Sequence, residues 1–249
     1  FAQDGTHSRN GRGACQPPKK SVMAMPLMTT PSTTFLQGPP SPLIATYPRP
    51  SAAPFDLYAR IASPRHPSFL FESGGAMTTM GRYSFFASDP YQTLCGTADQ
   101  YLWRSAQGQE ESGPDPFHYL TKVLGTSSIV RPLDTPPFFG GAIGYFSYDL
   151  VRTFERLPSL ALADLTTPDF ELAFFDLVAA VDHESNALVL MFCPPLERFL
   201  GEAREKLYQE GCDRLTALHA QLLGTPASAA KDHTNIRLTF SPDQGRSSY

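Results

Sequence analysis

Residues 138–148 read FFGGAIGYFSY, and this stretch is more informative about the fold than any other. It combines large apolar and aromatic side chains with three glycines, Gly140, Gly141 and Gly144. Glycine inside an apolar strand is typical of places where two backbones approach closely or where a strand bulges. The glycine spacing matches neither a P-loop nor a dinucleotide-binding fingerprint. We therefore expect a tightly packed strand here, not a phosphate-binding loop.

Short apolar runs bounded by turn residues lie on both sides of this stretch. Runs of this length are typical of strands in antiparallel sheets. The turn-forming residues 182–186, DHESN, separate two of the runs and predict a hairpin. The predicted strands cover residues 69–71, 82–87, 101–103, 171–182 and 187–192.

Three segments have the three- and four-residue apolar spacing of helices. The first is residues 55–61. The second begins at Asp115-Pro116, because Asp is a favoured N-cap and Pro a favoured first helical residue. The third, residues 196–222, predicts an amphipathic helix or a helix pair interrupted near Gly211. The predicted fold class is therefore α+β, with mostly antiparallel β-sheet and flanking helices.

The two ends of the chain differ from its middle. Residues 1–54 contain ten of the 24 prolines, five basic residues and one acidic residue, so five minus one gives a net charge of about +4. We expect this Pro-rich basic leader to be disordered, because it has little apolar periodicity. Residues 55–223 form the predicted domain, residues 224–235 a linker, and residues 236–249 the start of a further element.

Composition excludes several classes of function. The net charge of -4 gives no basic field for nucleic acid, and no apolar run approaches the roughly 18 residues of a membrane span. The four cysteines and six histidines do not occur at metal-ligand spacing. Free thiols in a reducing compartment are the simplest interpretation of these cysteines, and they predict a cytoplasmic protein.

The residues alone identify no catalytic site. Ser73 follows the predicted strand 69–71, but the Gly-x-Ser-x-Gly motif of a nucleophile elbow is absent. A role in the turn and hydrogen bonding to a small polar ligand both remain open for this serine. Asp149, Arg152 and Glu155 are three residues apart, which is typical of ion pairs on a helix surface.

Three blocks of the sequence resemble one family of enzymes in their order and spacing. The resemblance is to the N-terminal region of component I of the chorismate-amination enzymes, aminodeoxychorismate synthase and anthranilate synthase, and it covers about residues 55–249. The sequences of residues 71–75 and 138–144 are more similar to the aminodeoxychorismate branch. The blocks are residues 68–73 with 81–84 and 89–90, residues 137–150 with 152, 154–155 and 157–158, and residues 168–169 with 176 and 182–183.

The resemblance implies an N-terminal domain of the anthranilate synthase component I type. It implies that a following domain binds chorismate and Mg²⁺, and that a glutamine amidotransferase subunit, component II, supplies ammonia for 4-amino-4-deoxychorismate formation in folate and 4-aminobenzoate biosynthesis. Residues 240–244 are similar to the opening of that chorismate-binding domain. The catalytic residues are therefore expected beyond Tyr249, with no catalytic residue, metal or cofactor in this chain, which is expected to be inactive alone.

The family also has a tryptophan pocket, and the resemblance places its N-terminal part in this chain. The implied ligand-binding residues are Glu72, Ser73, Gly81, Arg82 and Tyr83. A serine hydroxyl and an arginine can meet the charged ends of an amino acid, and aromatic surface can cover its ring.

Three alternatives remain open at this point. The chain could be the corresponding part of an anthranilate synthase, which serves tryptophan biosynthesis. It could be a non-catalytic module that binds tryptophan. It could also be a pseudo-subunit that binds the amidotransferase or a separately encoded catalytic domain.

Overall fold

The computed structural model describes residues 30–72, 81–124, 129–157 and 167–224, together with the backbone of residues 27 and 28. In these parts of the chain, eleven strands form two antiparallel sheets, and the predicted α+β class is confirmed. The strands are β1 (Leu27–Met28), β2 (Leu43–Pro48), β3 (Ser68–Phe71), β4 (Tyr83–Ser88), β5 (Gln92–Gly96), β6 (Tyr101–Ser105), β7 (Glu110–Gly113), β8 (Gly141–Phe146), β9 (Phe170–Phe175), β10 (Leu177–Asp182) and β11 (Ala187–Phe192). The helices are α1 (Ser32–Gln37), α2 (Pro54–Ala59), α3 (Pro116–Leu124), α4 (Leu196–Gly201) and α5 (Arg204–Leu223), and a 3-10 helix covers Tyr148–Thr153.

Two chain segments cross from one sheet to the other. The first sheet has the order β1-β2-β11-β10-β4-β3, and the second has the order β7-β6-β5-β9-β8. Strand β4 pairs with β10 in the first sheet, and their continuations β5 and β9 pair in the second. The crossovers are at Asp89-Pro90 and at Asp176. The single strand predicted for residues 171–182 is therefore wrong, because Asp176 divides it between two sheets.

A buried ion pair holds one of these crossovers. The Asp176 side chain is 4% exposed and receives two hydrogen bonds from Arg214 of α5, at 2.6 and 2.8 Å. The backbone N–H of Cys193 donates to the carbonyl oxygen of Asp176 at 2.7 Å. Two-pronged Arg–carboxylate contacts are among the strongest that proteins make, and they offset the desolvation of a buried carboxylate.

The prediction that residues 1–54 are disordered is wrong for residues 30–54. Strand β2 lies inside the first sheet, paired with β11 along its full length and with β1 on its other side. Leu43, Ala45 and Tyr47 of this strand are buried. The prolines around β2 lie at its ends, where they do not remove hydrogen bonds from the middle of the sheet. The domain therefore begins well before residue 55, and residues 1–26 and 29 lie outside the described residues.

Helix α5 covers the outer face of the first sheet, where the largest core cluster lies. Phe35, Phe86, Leu190, Phe192 and Leu215 are among its fully or almost fully buried members. Helical structure is confirmed for residues 196–222, which hold two helices, but the interruption predicted near Gly211 is wrong.

The break between the two helices falls at residues 202–203 instead of near Gly211. Gly211 lies inside α5. Glycine fits this position because a Cβ there would press on the side chains of Phe192 and Leu43. The predicted linker 224–235, after Gly224, and the element 236–249 lie outside the described residues.

The glycines of residues 138–148 have the predicted structural role. Strand β8 pairs with β9, and a Cβ built on Gly144 would overlap the carbonyl oxygen of Glu171 on that neighbour. Gly140 and Gly141 have φ angles of 151° and 122°, which favour glycine. The expected close approach of two backbones is therefore confirmed.

In the described part of the chain, no helix has the length and apolar character that crossing a bilayer requires.

We predict that Gly144→Ala lowers the free energy of unfolding by about 1–3 kcal/mol, because the added methyl group must push β8 away from β9. Urea unfolding followed by circular dichroism measures this change. The matched control is Gly201→Ala at the end of α4, where nothing lies within 4 Å of an added Cβ. Equal stability of the two variants would contradict the role given to Gly144.

Candidate functional site

Four of the five predicted ligand-binding residues are described, and they lie at one end of the first sheet, where β3 ends and β4 begins. Glu72 follows β3 and is exposed. Ser73 lies outside the described residues. Gly81 and Arg82 come directly before β4, whose first residue is Tyr83, and all three are half-buried. The structure therefore brings Arg82 and Tyr83 together and leaves the position of Ser73 open.

Arg82 is held in place by two carboxylates. Its Nε and Nη2 donate to Asp182 at 3.1 and 2.8 Å, and its Nη1 is 3.1 Å from Glu184. A guanidinium has five N–H groups, so these contacts leave two of them for another acceptor. The guanidinium also lies 4.9 Å from the centre of the Tyr83 ring. Arg82 thus has a fixed orientation and can still meet a ligand carboxylate.

The carboxylate that orients Arg82 is almost entirely buried. Burial by itself raises the pKa of Asp182, but hydrogen bonds from Arg82, from the Ser185 hydroxyl and from the backbone outweigh it and lower the pKa to about 2. Asp182 pairs in register with Tyr83 across the β4–β10 ladder. Its carboxylate therefore holds Arg82 beside the first residue of β4.

Five aromatic side chains form a cluster beside Arg82. We call this set the aromatic cluster, and the centres of its neighbouring rings are 5.2 to 6.1 Å apart. Its members are Phe69, Phe71, Tyr83, Phe85 and Phe138. Phe71 at the end of β3 is 54% exposed, so the cluster has an open side. The centre-to-centre distances are 5.2 Å for Phe69–Phe71, 5.9 Å for Phe69–Phe138, 6.1 Å for Phe85–Phe138 and 5.6 Å for Tyr83–Phe85. An arginine beside exposed aromatic surface is a combination that can bind an aromatic molecule bearing an acid group.

A serine and a histidine close to this site do not form a nucleophilic pair. His183 Nδ1 is 3.2 Å from Arg49 Nη1, and His183 Nε2 is 2.8 Å from the Ser84 hydroxyl. Arginine can only donate, so Nδ1 is the acceptor and Nε2 carries the proton. The histidine therefore donates to Ser84 and cannot take its proton as a general base. This contact stabilises the ends of β4, β10 and β2.

The structure has two cavities with mainly apolar linings, of which one borders the aromatic cluster. One, of about 200 Å³, lies between the edge strands β3 and β8 and is lined by Phe69, Ile143 and Leu172 among others. A larger one, of about 330 Å³, is lined mainly by apolar and aromatic side chains and by Cys193. Burial raises the pKa of the Cys193 thiol to about 12, so the thiol is not reactive near neutral pH.

The described residues contain no group of three or more His, Cys, Asp and Glu side chains placed to hold a metal ion. Among the same residues, Cys95, Cys193 and Cys212 are free thiols.

The sequence indicated Arg82 and Tyr83 but not the residues that complete the site. Glu184 and the aromatic side chains of Phe71, Phe85 and Phe138 were missed as site residues, and Asp182 entered only as part of the resemblance. Alternation along β4 could have shown that Tyr83 and Phe85 share one face. No sequence signal places Phe138, because it comes from a distant segment.

Comparisons with known proteins agree on one group of relatives. The chain is 31% identical over 176 residues to anthranilate synthase component 1 of Mycobacterium tuberculosis, a match of 69% of this chain and 34% of that protein. It is 33% identical over 153 residues to aminodeoxychorismate synthase component 1 of Salmonella typhimurium, covering 61% of this chain and 33% of that protein. A crystal structure of anthranilate synthase component I from Streptococcus pneumoniae matches 72% of this chain and 37% of that one, with 19% identity and a TM-score of 0.45. No family model matches the chain.

The fold is an α+β domain of two antiparallel sheets with an arginine and aromatic side chains at one sheet end. The sequence relatives identify the chain as a partial domain of the chorismate-utilising enzyme family that contains component I of anthranilate synthase and of aminodeoxychorismate synthase. The chain spans about a third of the length of these relatives.

We predict that Arg82→Gln lowers the free energy of unfolding at pH 7, since the buried Asp182 loses its charged partner. The loss is reduced because water partly screens Arg82. The pKa of Asp182 is lower in the folded protein than its ordinary 3.8. The stabilisation is therefore complete above pH 3.8 and disappears as the pH falls towards 2. Urea titrations between pH 2.5 and 7 measure both effects.

The control for this prediction is Arg104→Gln, which removes an ion pair with Glu110 in which both side chains are about half exposed. We expect almost no change in stability from this variant. If both variants have the same stability profile with pH, Asp182 does not depend on Arg82.

Proposed function

We propose that this chain supplies the N-terminal part of a component I enzyme that forms 4-amino-4-deoxychorismate from chorismate. The amination uses ammonia from a glutamine amidotransferase component II. The observation that carries the proposal is the similarity to component 1 of anthranilate synthase over 69% of the chain and of aminodeoxychorismate synthase over 61%. The resemblance of residues 71–75 and 138–144 to the aminodeoxychorismate branch supports the choice of product.

The alternative product is anthranilate. The anthranilate synthase component 1 of Mycobacterium tuberculosis matches a larger share of this chain than the aminodeoxychorismate synthase component 1 of Salmonella typhimurium does, which favours this second candidate. The two candidates use the same substrate, so the product separates them.

Within this enzyme, we assign ligand binding and support of the fold to the described residues. His183 donates a hydrogen bond to Ser84 and so is not a base for that serine, and the buried Cys193 thiol is not a nucleophile near neutral pH. Mg²⁺ would bind in the part of the enzyme that also holds chorismate, because the described residues offer no carboxylate cluster for it.

The ligand of the aromatic cluster is an aromatic amino acid such as L-tryptophan. Its ring would lie against Phe71 and Tyr83, and its carboxylate would accept hydrogen bonds from the two remaining N–H groups of Arg82. Ser73 and Glu72 would add a hydroxyl and a carboxylate for the ammonium group. The guanidinium donates hydrogen bonds to a carboxylate, and the hydroxyl and the carboxylate accept hydrogen bonds from an ammonium group.

We expect the purified chain to form neither aminodeoxychorismate nor anthranilate from chorismate, ammonia and Mg²⁺, because it spans about a third of the length of its relatives and the resemblance assigns the chorismate-binding part to the remainder. Chromatography with fluorescence detection measures both products. Turnover by the chain alone would contradict the supporting role proposed for it. In a 4-aminobenzoate auxotroph and a tryptophan auxotroph, growth supported by the complete enzyme would identify the branch.

We expect L-tryptophan to raise the melting temperature of the isolated chain little, because this chain contributes only part of the pocket. Thermal unfolding with increasing L-tryptophan measures the shift. A large saturable rise that Ser73→Ala removes would favour the tryptophan-binding regulatory module instead. The control is Ser112→Ala, which changes an exposed residue of β7 and should keep the rise.

A further inference from the structure

The larger apolar cavity is lined by residues of α3 and α4, by the end of β9 and by the residues before β8. We call it the apolar chamber, and its volume is about 330 Å³. A cavity of about 150 Å³ with an apolar lining already holds benzene. An aromatic ring with a short substituent therefore fits in this space. The lining includes Val123, Ile129, Phe139, Phe174, Phe175 and Leu196.

A smaller cavity of about 160 Å³ adjoins the apolar chamber. The two are neighbours because Tyr91, Lys122 and Glu197 line both. We call the smaller cavity the polar chamber, since its lining is mostly polar. A molecule that occupies both chambers must have an apolar part and a polar part. The polar chamber also includes Gln92, Trp103, Glu111 and Tyr119.

Three hydrogen-bond donors of the polar chamber have no acceptor among the described residues. Gln92 Oε1 accepts a hydrogen bond from Trp103 Nε1 at 2.9 Å, which fixes the amide, and the buried Gln92 Nε2 has no partner. The Lys122 ammonium and the Tyr91 hydroxyl make no hydrogen bond or ion pair with a described side chain. A buried donor without an acceptor costs free energy. An acceptor group on a ligand would remove this cost.

The charges of the two chambers favour an acceptor with one negative charge. Among the described residues that line them, Lys122 is the only cation. Burial raises the pKa of Tyr91, so its hydroxyl keeps the proton and can donate near neutral pH. Glu111 and Glu197 would repel a second negative charge. A ligand with a single carboxylate meets all of these conditions.

We propose that the two chambers bind a small aromatic monocarboxylic acid, with its ring in the apolar chamber and its carboxylate in the polar chamber. The carboxylate accepts hydrogen bonds from Lys122, Tyr91 and Gln92. This site shares no residue with the aromatic cluster, and the inference does not depend on the proposed function.

The experiment is isothermal titration calorimetry of the full chain with 3-phenylpropionate, which has one ring, a short chain and one carboxylate. We expect saturable binding of one molecule per chain. The amine 3-phenylpropylamine has a similar shape and the opposite charge, and we expect no measurable binding. Binding of the amine in place of the acid, or of neither compound, would overturn the proposal.

Variants locate the bound acid. Lys122→Gln removes the charge, and Gln92→Glu keeps an acceptor for Trp103 but replaces the Nε2 donor with an oxygen. Each should weaken binding by about tenfold or more. The control Lys206→Gln changes an exposed lysine outside both chambers and should keep the affinity. Circular dichroism shows whether each variant is folded.

Two results would contradict this site. If Lys122→Gln binds the acid as tightly as the parent chain, the carboxylate does not lie in the polar chamber. The variant Arg82→Gln should keep the affinity, because Arg82 lines neither chamber. Loss of binding in Arg82→Gln alone would place the acid at the aromatic cluster instead.

Discussion

The contact of Arg214 with Asp176 is the interaction on which the two-sheet arrangement depends. Asp176 lies at the point where the chain leaves the second sheet and enters the first, between β9 and β10. Arg214 comes from α5, so this ion pair joins both sheets and the long helix at one place. Its carboxylate is almost completely buried, and without the guanidinium it would be an unpaired charge inside the protein.

The candidate site follows from the same crossover. Because β10 continues from Asp176 in register with β4, it ends at Asp182 opposite Tyr83, where its carboxylate receives Arg82. The aromatic cluster forms beside it because Phe138, which precedes β8, packs on Phe69 and Phe85 of the first sheet. The site is therefore a product of the way two sheets meet, and one strand alone does not contain it.

The sequence predicted much of the fold and part of the site. Residues 187–192 form the predicted strand, and Asp115-Pro116 marks the beginning of α3, since these are local patterns of apolar spacing and capping. Strand β2 was missed because flanking prolines made residues 1–54 resemble a disordered leader. Its burial comes from pairing with β11, which is about 140 residues away along the chain, and no local pattern contains that information.

What the sequence by itself determined is the class of elements, the role of the glycines near β8 and the family resemblance, because these depend on residue type and on short spacing. Only the tertiary structure decided that Asp176 divides a continuous apolar run between two sheets and that Asp182 and Glu184 hold Arg82. It also decided that Tyr148 and Phe154 lie exposed to water. The physical reason is that ion pairing, burial and exposure are properties of groups brought together from distant parts of the chain.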